Sequence, residues 1–82
     1  MKKVIIVDDE KMIRELIKRY ATFEGHEVFE ACNGMEAVEK CRRECYDLII
    51  MDVMMPKMDG LRATMKIREE NNIPIIILSA KS

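Results

Sequence analysis

Short runs rich in β-branched residues alternate along this chain with longer stretches of helical periodicity. That alternation restricts the fold more than any single residue does. Lys3–Val7 is nearly all β-branched, as suits a parallel strand covered on both faces. Asp9 is then placed to cap a helix from about Glu10 to Phe23, in which Met12, Ile13, Leu16, Ile17, Tyr20 and Ala21 form one apolar stripe. Gly25 supplies its stop. Glu27–Ala31 reads as a second strand, and Asn33 is placed to cap a helix over Gly34–Arg43. Leu48–Met51 is a third strand running into Asp52, a helix follows from Gly60 to Glu70, and Pro74–Ser79 is a fourth, strongly apolar strand. The order βαβαβαβ predicts an α/β domain of parallel strands joined by right-handed helical crossovers.

Eighty-two residues are enough for one small domain. With 49% apolar and 35% charged residues, the composition is that of a globular chain rather than a disordered one. The 14 basic and 15 acidic residues are interspersed, and no basic stripe or aromatic platform suggests direct contact with nucleic acid. The apolar run that follows Lys3 ends at Asp8-Asp9 after four residues, too short for a signal peptide, and nothing approaches the length of a membrane span. Three cysteines, an odd number without the spacing of a secreted scaffold, point to the cytoplasm. Cys41 and Cys45, four residues apart, are expected to share a helix face and pack in the core rather than bind a metal, and Cys32 to be a small buried hydrophobe.

The carboxylates carry the chemistry. Asp8 and Asp9 fall at the carboxyl end of the first strand and Asp52 at that of the third. Ligands of open α/β sheets bind outside these strand ends, where neighbouring strands send their connections to opposite faces. In a sheet of order 2-1-3-4, strands one and three meet at that point, so the three carboxylates should converge. Convergence is unfavourable without a cation, because like charges oppose one another's ionisation. A hard divalent ion with oxygen ligands, Mg²⁺ before Ca²⁺, would relieve it. The same set suits phosphoryl transfer, with one carboxylate attacking phosphorus to form an acyl phosphate. Asp52 opens a loop and is the expected nucleophile. Ser79, ending the fourth strand, is placed to donate a hydrogen bond to the phosphoryl group. The plainer reading is that strand-end aspartates cap helices and turns.

These residues resemble the receiver domains of two-component response regulators. Lys3–Glu10 resembles the family's first strand and acidic pair, Ala31-Cys32-Asn33-Gly34 its second strand-to-helix turn, and Leu78-Ser79-Ala80 the switch end of strand four. The segment Asp47–Gly60, with Asp52, Met55-Pro56 and Asp59-Gly60, resembles the phosphorylation loop. The resemblance implies a flavodoxin-like parallel sheet of order 2-1-3-4. It further implies that Asp52 accepts phosphate from a histidine kinase. Mg²⁺ would then be held by Asp9, Asp52 and the Met54 backbone carbonyl, with Asp8 orienting metal-bound water, and Ser79 would move toward the phosphate as the switch. Ala63 and Thr64 stand where the family usually has larger residues, so a weaker grip by the third helix is expected.

Set against a family norm of five strands and five helices, residues 1–82 are expected to form a truncated receiver domain. This (βα)3β fragment would lack the last strand, the last two helices and the family's phosphate-pairing lysine. The uncharged strand Ile75–Leu78 would then be an exposed edge, and self-association through it is expected. Two functions of different class follow. One is a phosphorylation switch. The other is a phosphorylation-incompetent interaction module. A phosphohydrolase with an aspartyl nucleophile is disfavoured, because its usual pair of aspartates lies two residues apart whereas Asp8 and Asp9 are adjacent.

Overall fold

The most apolar runs take the middle of the sheet. The computed structural model describes residues 1–53 and 60–78. The elements run β1 (Lys3–Val7), α1 (Lys11–Phe23), β2 (Glu27–Ala31), α2 (Gly34–Arg43), β3 (Leu48–Asp52), α3 (Gly60–Arg68) and β4 (Ile75–Leu78). All strands are parallel, as the alternation predicts, and their order β2-β1-β3-β4 is the one the family resemblance implies. β1 and β3 are central; β1 is buried along both faces, whereas Leu48 and Ile50 on the α1 side of β3 are half-buried.

One face of the sheet holds the main core. Ile5, Val7, Ile49 and Met51 meet Ala37, Val38 and Cys41 of α2 and Ala63 and Ile67 of α3. Ala63 is fully buried, so the small side chain that suggests a weak helix is the one that lets α3 lie close. Thr64 bonds its own helix, its hydroxyl donating to the Gly60 carbonyl at 2.7 Å. Among the described residues, the other face is covered by α1, with Val4 and Ile6 buried beneath it. The stripe read along α1 divides in two. Ile13, Ile17 and Ala21 are half-buried, whereas Met12, Leu16 and Tyr20 are exposed. Beside α1 an open apolar groove of about 240 Å³ is lined by Ile17, Tyr20, Ala21, Val4, Leu48 and Ile50.

Helix ends explain where local readings hold and where they fail. Asn33 caps α2 as expected, its side chain accepting from the Glu36 N–H at 2.8 Å, and Glu36 reaches back to accept from the Cys32 N–H at 2.7 Å. Gly25 ends α1 with φ of 89°, a conformation that favours glycine, while the His26 N–H closes on the Ala21 carbonyl at 3.0 Å. Asp9 does not cap α1. Glu10 occupies the cap without a side-chain bond, and the Glu10 N–H donates instead to the Asp8 carboxylate at 2.8 Å. The cysteine reading also needs correcting. α2 stops at Arg43 because Glu44 is extended, so Cys45 is off the helix and exposed, Cys32 is exposed too, and Cys41 alone is in the core.

Among the described residues, β4 pairs on one side only, and Ile76 and Ile77 are 50% and 42% exposed. No described helix is long and apolar enough to cross a membrane. The division between the two sheet faces makes a stability prediction. Ile49→Val, which removes one methylene from a fully buried site, should cost about 1 kcal/mol. Leu16→Ala on the outer side of α1 should change stability by no more than about 0.5 kcal/mol. Urea denaturation followed by circular dichroism measures both, and equal losses would contradict this assignment of the core.

Candidate metal centre

The site follows from strand register. β1 and β3 pair in parallel with Val7 opposite Met51, so the next residues along each strand, Asp8 and Asp52, emerge side by side at the carboxyl edge of the sheet. Hydrogen bonds hold both backbones. The Asp8 N–H donates to the Ala31 carbonyl of β2 at 3.1 Å, and the Val53 N–H to the Leu78 carbonyl of β4 at 3.3 Å. The central pair of strands is therefore tied to its neighbours at the level of the acids.

Gly60 brings α3 against this edge. Its N–H donates to the Val53 carbonyl at 3.3 Å. A Cβ there would overlap the Asp52 carbonyl oxygen and fall 2.6 Å from the Val53 Cα. Any side chain at 60 would push on the backbone that carries Asp52. Glycine is needed here for close approach, not for an unusual dihedral angle.

Asp8, Asp9 and Asp52 each offer a carboxylate oxygen, and the three oxygens lie within 4.8 Å of one another. Asp8 and Asp52 are only 5% and 6% exposed, while Asp9 faces solvent. Burial pushes the Asp8 carboxyl above the ordinary carboxylate range. The Glu10 N–H draws it partly back, and the charges of Asp52 and Asp9 raise it further. Buried carboxylates in mutual repulsion, with oxygen donors alone, fit a hard cation. Helix capping does not account for the set: the Asp8 carboxylate accepts from the Glu10 N–H, and Asp9 is not the cap of α1.

Of the residues singled out in the sequence, Asp8, Asp9 and Asp52 are brought together. Met54 and Ser79 lie outside the described residues, as do Met55, Pro56 and Asp59. One contributor goes unread in the sequence. Arg14 of α1 donates through Nη1 to the Asp8 carbonyl at 2.8 Å and through Nε to Glu30 of β2 at 2.9 Å. Lys18 also reaches Glu30, at 3.4 Å, and these cations hold the Glu30 carboxyl below its ordinary range. The signal available in the sequence was Glu30 itself, a charge within a strand that calls for a partner.

Comparison with known proteins places this geometry in a family. Residues 4–82 match the response regulator receiver domain, and the chain belongs to that family. It is 46% identical over 79 residues to the transcriptional regulatory protein SrrA of Staphylococcus aureus, a match covering 96% of this chain and 33% of that protein. The chain thus spans about a third of the length of the curated relatives it matches. Among solved structures, the response regulator TrrA of Thermotoga maritima, in complex with Mg²⁺–BeF, superposes with a TM-score of 0.94 at 43% identity, covering 100% of this chain and 72% of that one. TrrA in complex with the histidine kinase ThkA superposes with a TM-score of 0.93 at 43% identity, with the same coverage of 100% and 72%.

The raised Asp8 carboxyl has a consequence for stability. Its folded-state value lies above its unfolded one, so the native state binds the proton more tightly, and stability falls as pH rises through that window. Asp8→Asn keeps an acceptor for the Glu10 N–H and removes the charge. With metal chelated, it should raise the melting temperature at neutral pH, and the gain should vanish below the ordinary carboxylate range, where Asp8 is itself protonated. Thermal melts across pH check this, and a gain that persists in acid would contradict the electrostatic cause.

Proposed function

We propose that residues 1–82 act as a receiver module, a phospho-switch in which Asp52 takes a phosphoryl group from a histidine kinase. Mg²⁺ would be held by Asp8, Asp9, Asp52 and the Met54 backbone carbonyl. The observation that carries this reading is the convergence of three carboxylate oxygens within 4.8 Å at the strand ends. TrrA, similar over the whole chain, is known in complex with Mg²⁺–BeF and with a histidine kinase, which supports the metal and the class of donor.

The chemistry assigned to the chain's own residues is short. An Asp52 carboxylate oxygen attacks phosphorus of the kinase's phosphohistidine. The phosphorus–nitrogen bond breaks, its electron pair stays on the imidazole, which takes up a proton, and an acyl phosphate remains on Asp52. Bound Mg²⁺ would neutralise charge on the transferring phosphoryl oxygens. Asp8 and Asp9 serve as fixed anions that draw the metal to the strand ends. Gly60 keeps the Asp52 backbone in place beneath α3. Ser79 would donate its hydroxyl to a phosphoryl oxygen and so relay the modification to the end of β4. Each phosphate is accepted once, so the chain acts as a stoichiometric switch rather than a turnover enzyme. We assign it to the cytoplasm, consistent with three free cysteines. The transcriptional role in the name of the staphylococcal relative belongs to that longer protein.

Incubation with Mg²⁺ and acetyl phosphate should give a single phosphate adduct by intact mass. Asp52→Asn and chelation should each abolish it. An adduct that survives Asp52→Asn would overturn the choice of nucleophile.

A second reading, of a different class, is an interaction module that pairs with copies of itself. It rests on the uncharged edge strand β4, with Ile76 and Ile77 exposed. Light scattering on the 82-residue chain should then show dimers or larger species at micromolar concentration, reduced by Ile77→Lys. A monomer at that concentration would remove this reading and leave the phospho-switch untouched.

A further inference from the structure

We infer that Arg14 is a positioning residue for the metal centre, setting the orientation of the Asp8–Asp9 peptide and with it the aim of Asp9. The inference rests on the metal-dependent reading above. Asp8 is held at three points. Its N–H bonds the Ala31 carbonyl, its carboxylate accepts from the Glu10 N–H, and its carbonyl oxygen accepts from Arg14 Nη1 at 2.8 Å. The first two contacts fix Asp8 itself. The third acts on the peptide unit that Asp8 shares with Asp9. A planar peptide has one orientation, so a hold on its oxygen fixes the position of the Asp9 Cα. The Asp9 side chain is exposed, and the position of its Cα sets the region its carboxylate can reach.

Arginine suits this task for a geometric reason. Its side chain is 15% exposed, and its guanidinium uses two N–H groups at once, Nη1 on the Asp8 carbonyl and Nε on the Glu30 carboxylate at 2.9 Å. Glu30 supplies the counter-charge that allows the group to be so covered, and Lys18 steadies the other Glu30 oxygen. The rigid fork converts the position of an edge strand into the position of a peptide at the centre of the site. Lysine keeps the charge but presents a single nitrogen, which cannot reproduce both contacts in the fixed geometry.

Metal selectivity separates positioning from simple stabilisation. Mg²⁺ requires short, nearly octahedral contacts, whereas Ca²⁺ accepts longer and more variable ones. A misdirected Asp9 therefore weakens Mg²⁺ more than Ca²⁺, while partial unfolding weakens both by the same factor. The experiment is calorimetric titration of the 82-residue chain with Mg²⁺ and separately with Ca²⁺, for wild type, Arg14→Lys and Glu30→Gln. Arg14→Lys should lower Mg²⁺ affinity about tenfold, the usual scale for groups behind a metal ligand, and Ca²⁺ affinity by less than about threefold. Glu30→Gln, which touches no acid of the site, should shift the Mg²⁺ to Ca²⁺ ratio in the same direction by a smaller factor. It carries the test alone if Arg14→Lys does not fold.

A ratio unchanged in the folded variants, whether both affinities fall together or neither moves, overturns the positioning role while leaving the metal reading intact. A wild-type chain that binds neither cation overturns the metal reading and this inference with it.

Discussion

Three carboxylates held within 4.8 Å of one another are the constraint on which the rest of this structure depends. Asp8 records what this proximity costs: burial raises its carboxyl, and the neighbouring charges of Asp52 and Asp9 raise it further. What keeps them together is backbone geometry. Asp8 and Asp52 continue two central strands whose parallel register puts Val7 opposite Met51, and the hydrophobic burial of Ile5, Ile6, Ile49 and Met51 holds that register. Apolar packing beneath the site thus opposes electrostatic repulsion above it. A cation bound among the acids would relieve the repulsion, which couples ligation to the stability of the whole sheet.

The surroundings of the acids serve the same end by different means. Gly60 lets α3 approach the Asp52 backbone without a side chain between them. The Arg14–Glu30 pair ties the Asp8 peptide to the outer strand β2. β4 is attached through the Val53 N–H. Among the described residues, every strand and the helices α1 and α3 therefore reach the acidic edge through at least one hydrogen bond or close contact. A shift of the Asp52–Val53 backbone would therefore act directly on α3, through the Gly60 N–H, and on the end of β4.

The two faces of the sheet are unlike. Beneath α2 and α3 the side chains of β1 and β3 are closely buried, whereas α1 leaves an apolar groove at its side, and Ile76, next to Ile50 in register, is exposed on that same face. The difference arises from the number of helices on each face and from the small residues, Ala37 and Ala63, that let α2 and α3 pack together. The apolar lining of the groove beside α1 decides what kind of surface could pack against it.

Sequence alone determined the element order, the parallel sheet, the Asn33 cap and the Gly25 stop, because these rest on periodicity and on local backbone chemistry. It also placed Asp8, Asp9 and Asp52 at strand ends, since a strand end is visible as the close of an apolar run. Tertiary structure decided what depends on contacts between distant residues. The Arg14 link joins positions 8, 14 and 30, which share no periodicity. Gly60 proves necessary only once α3 is seen against Asp52. The division of the α1 stripe into a covered and an exposed half, the exposure of Cys32, and the loss of Asp9 as a cap all follow from how the helix sits on the sheet. A pattern of apolar residues tells a chain which side to bury. How much of that side is buried depends on the neighbours that the fold brings to it.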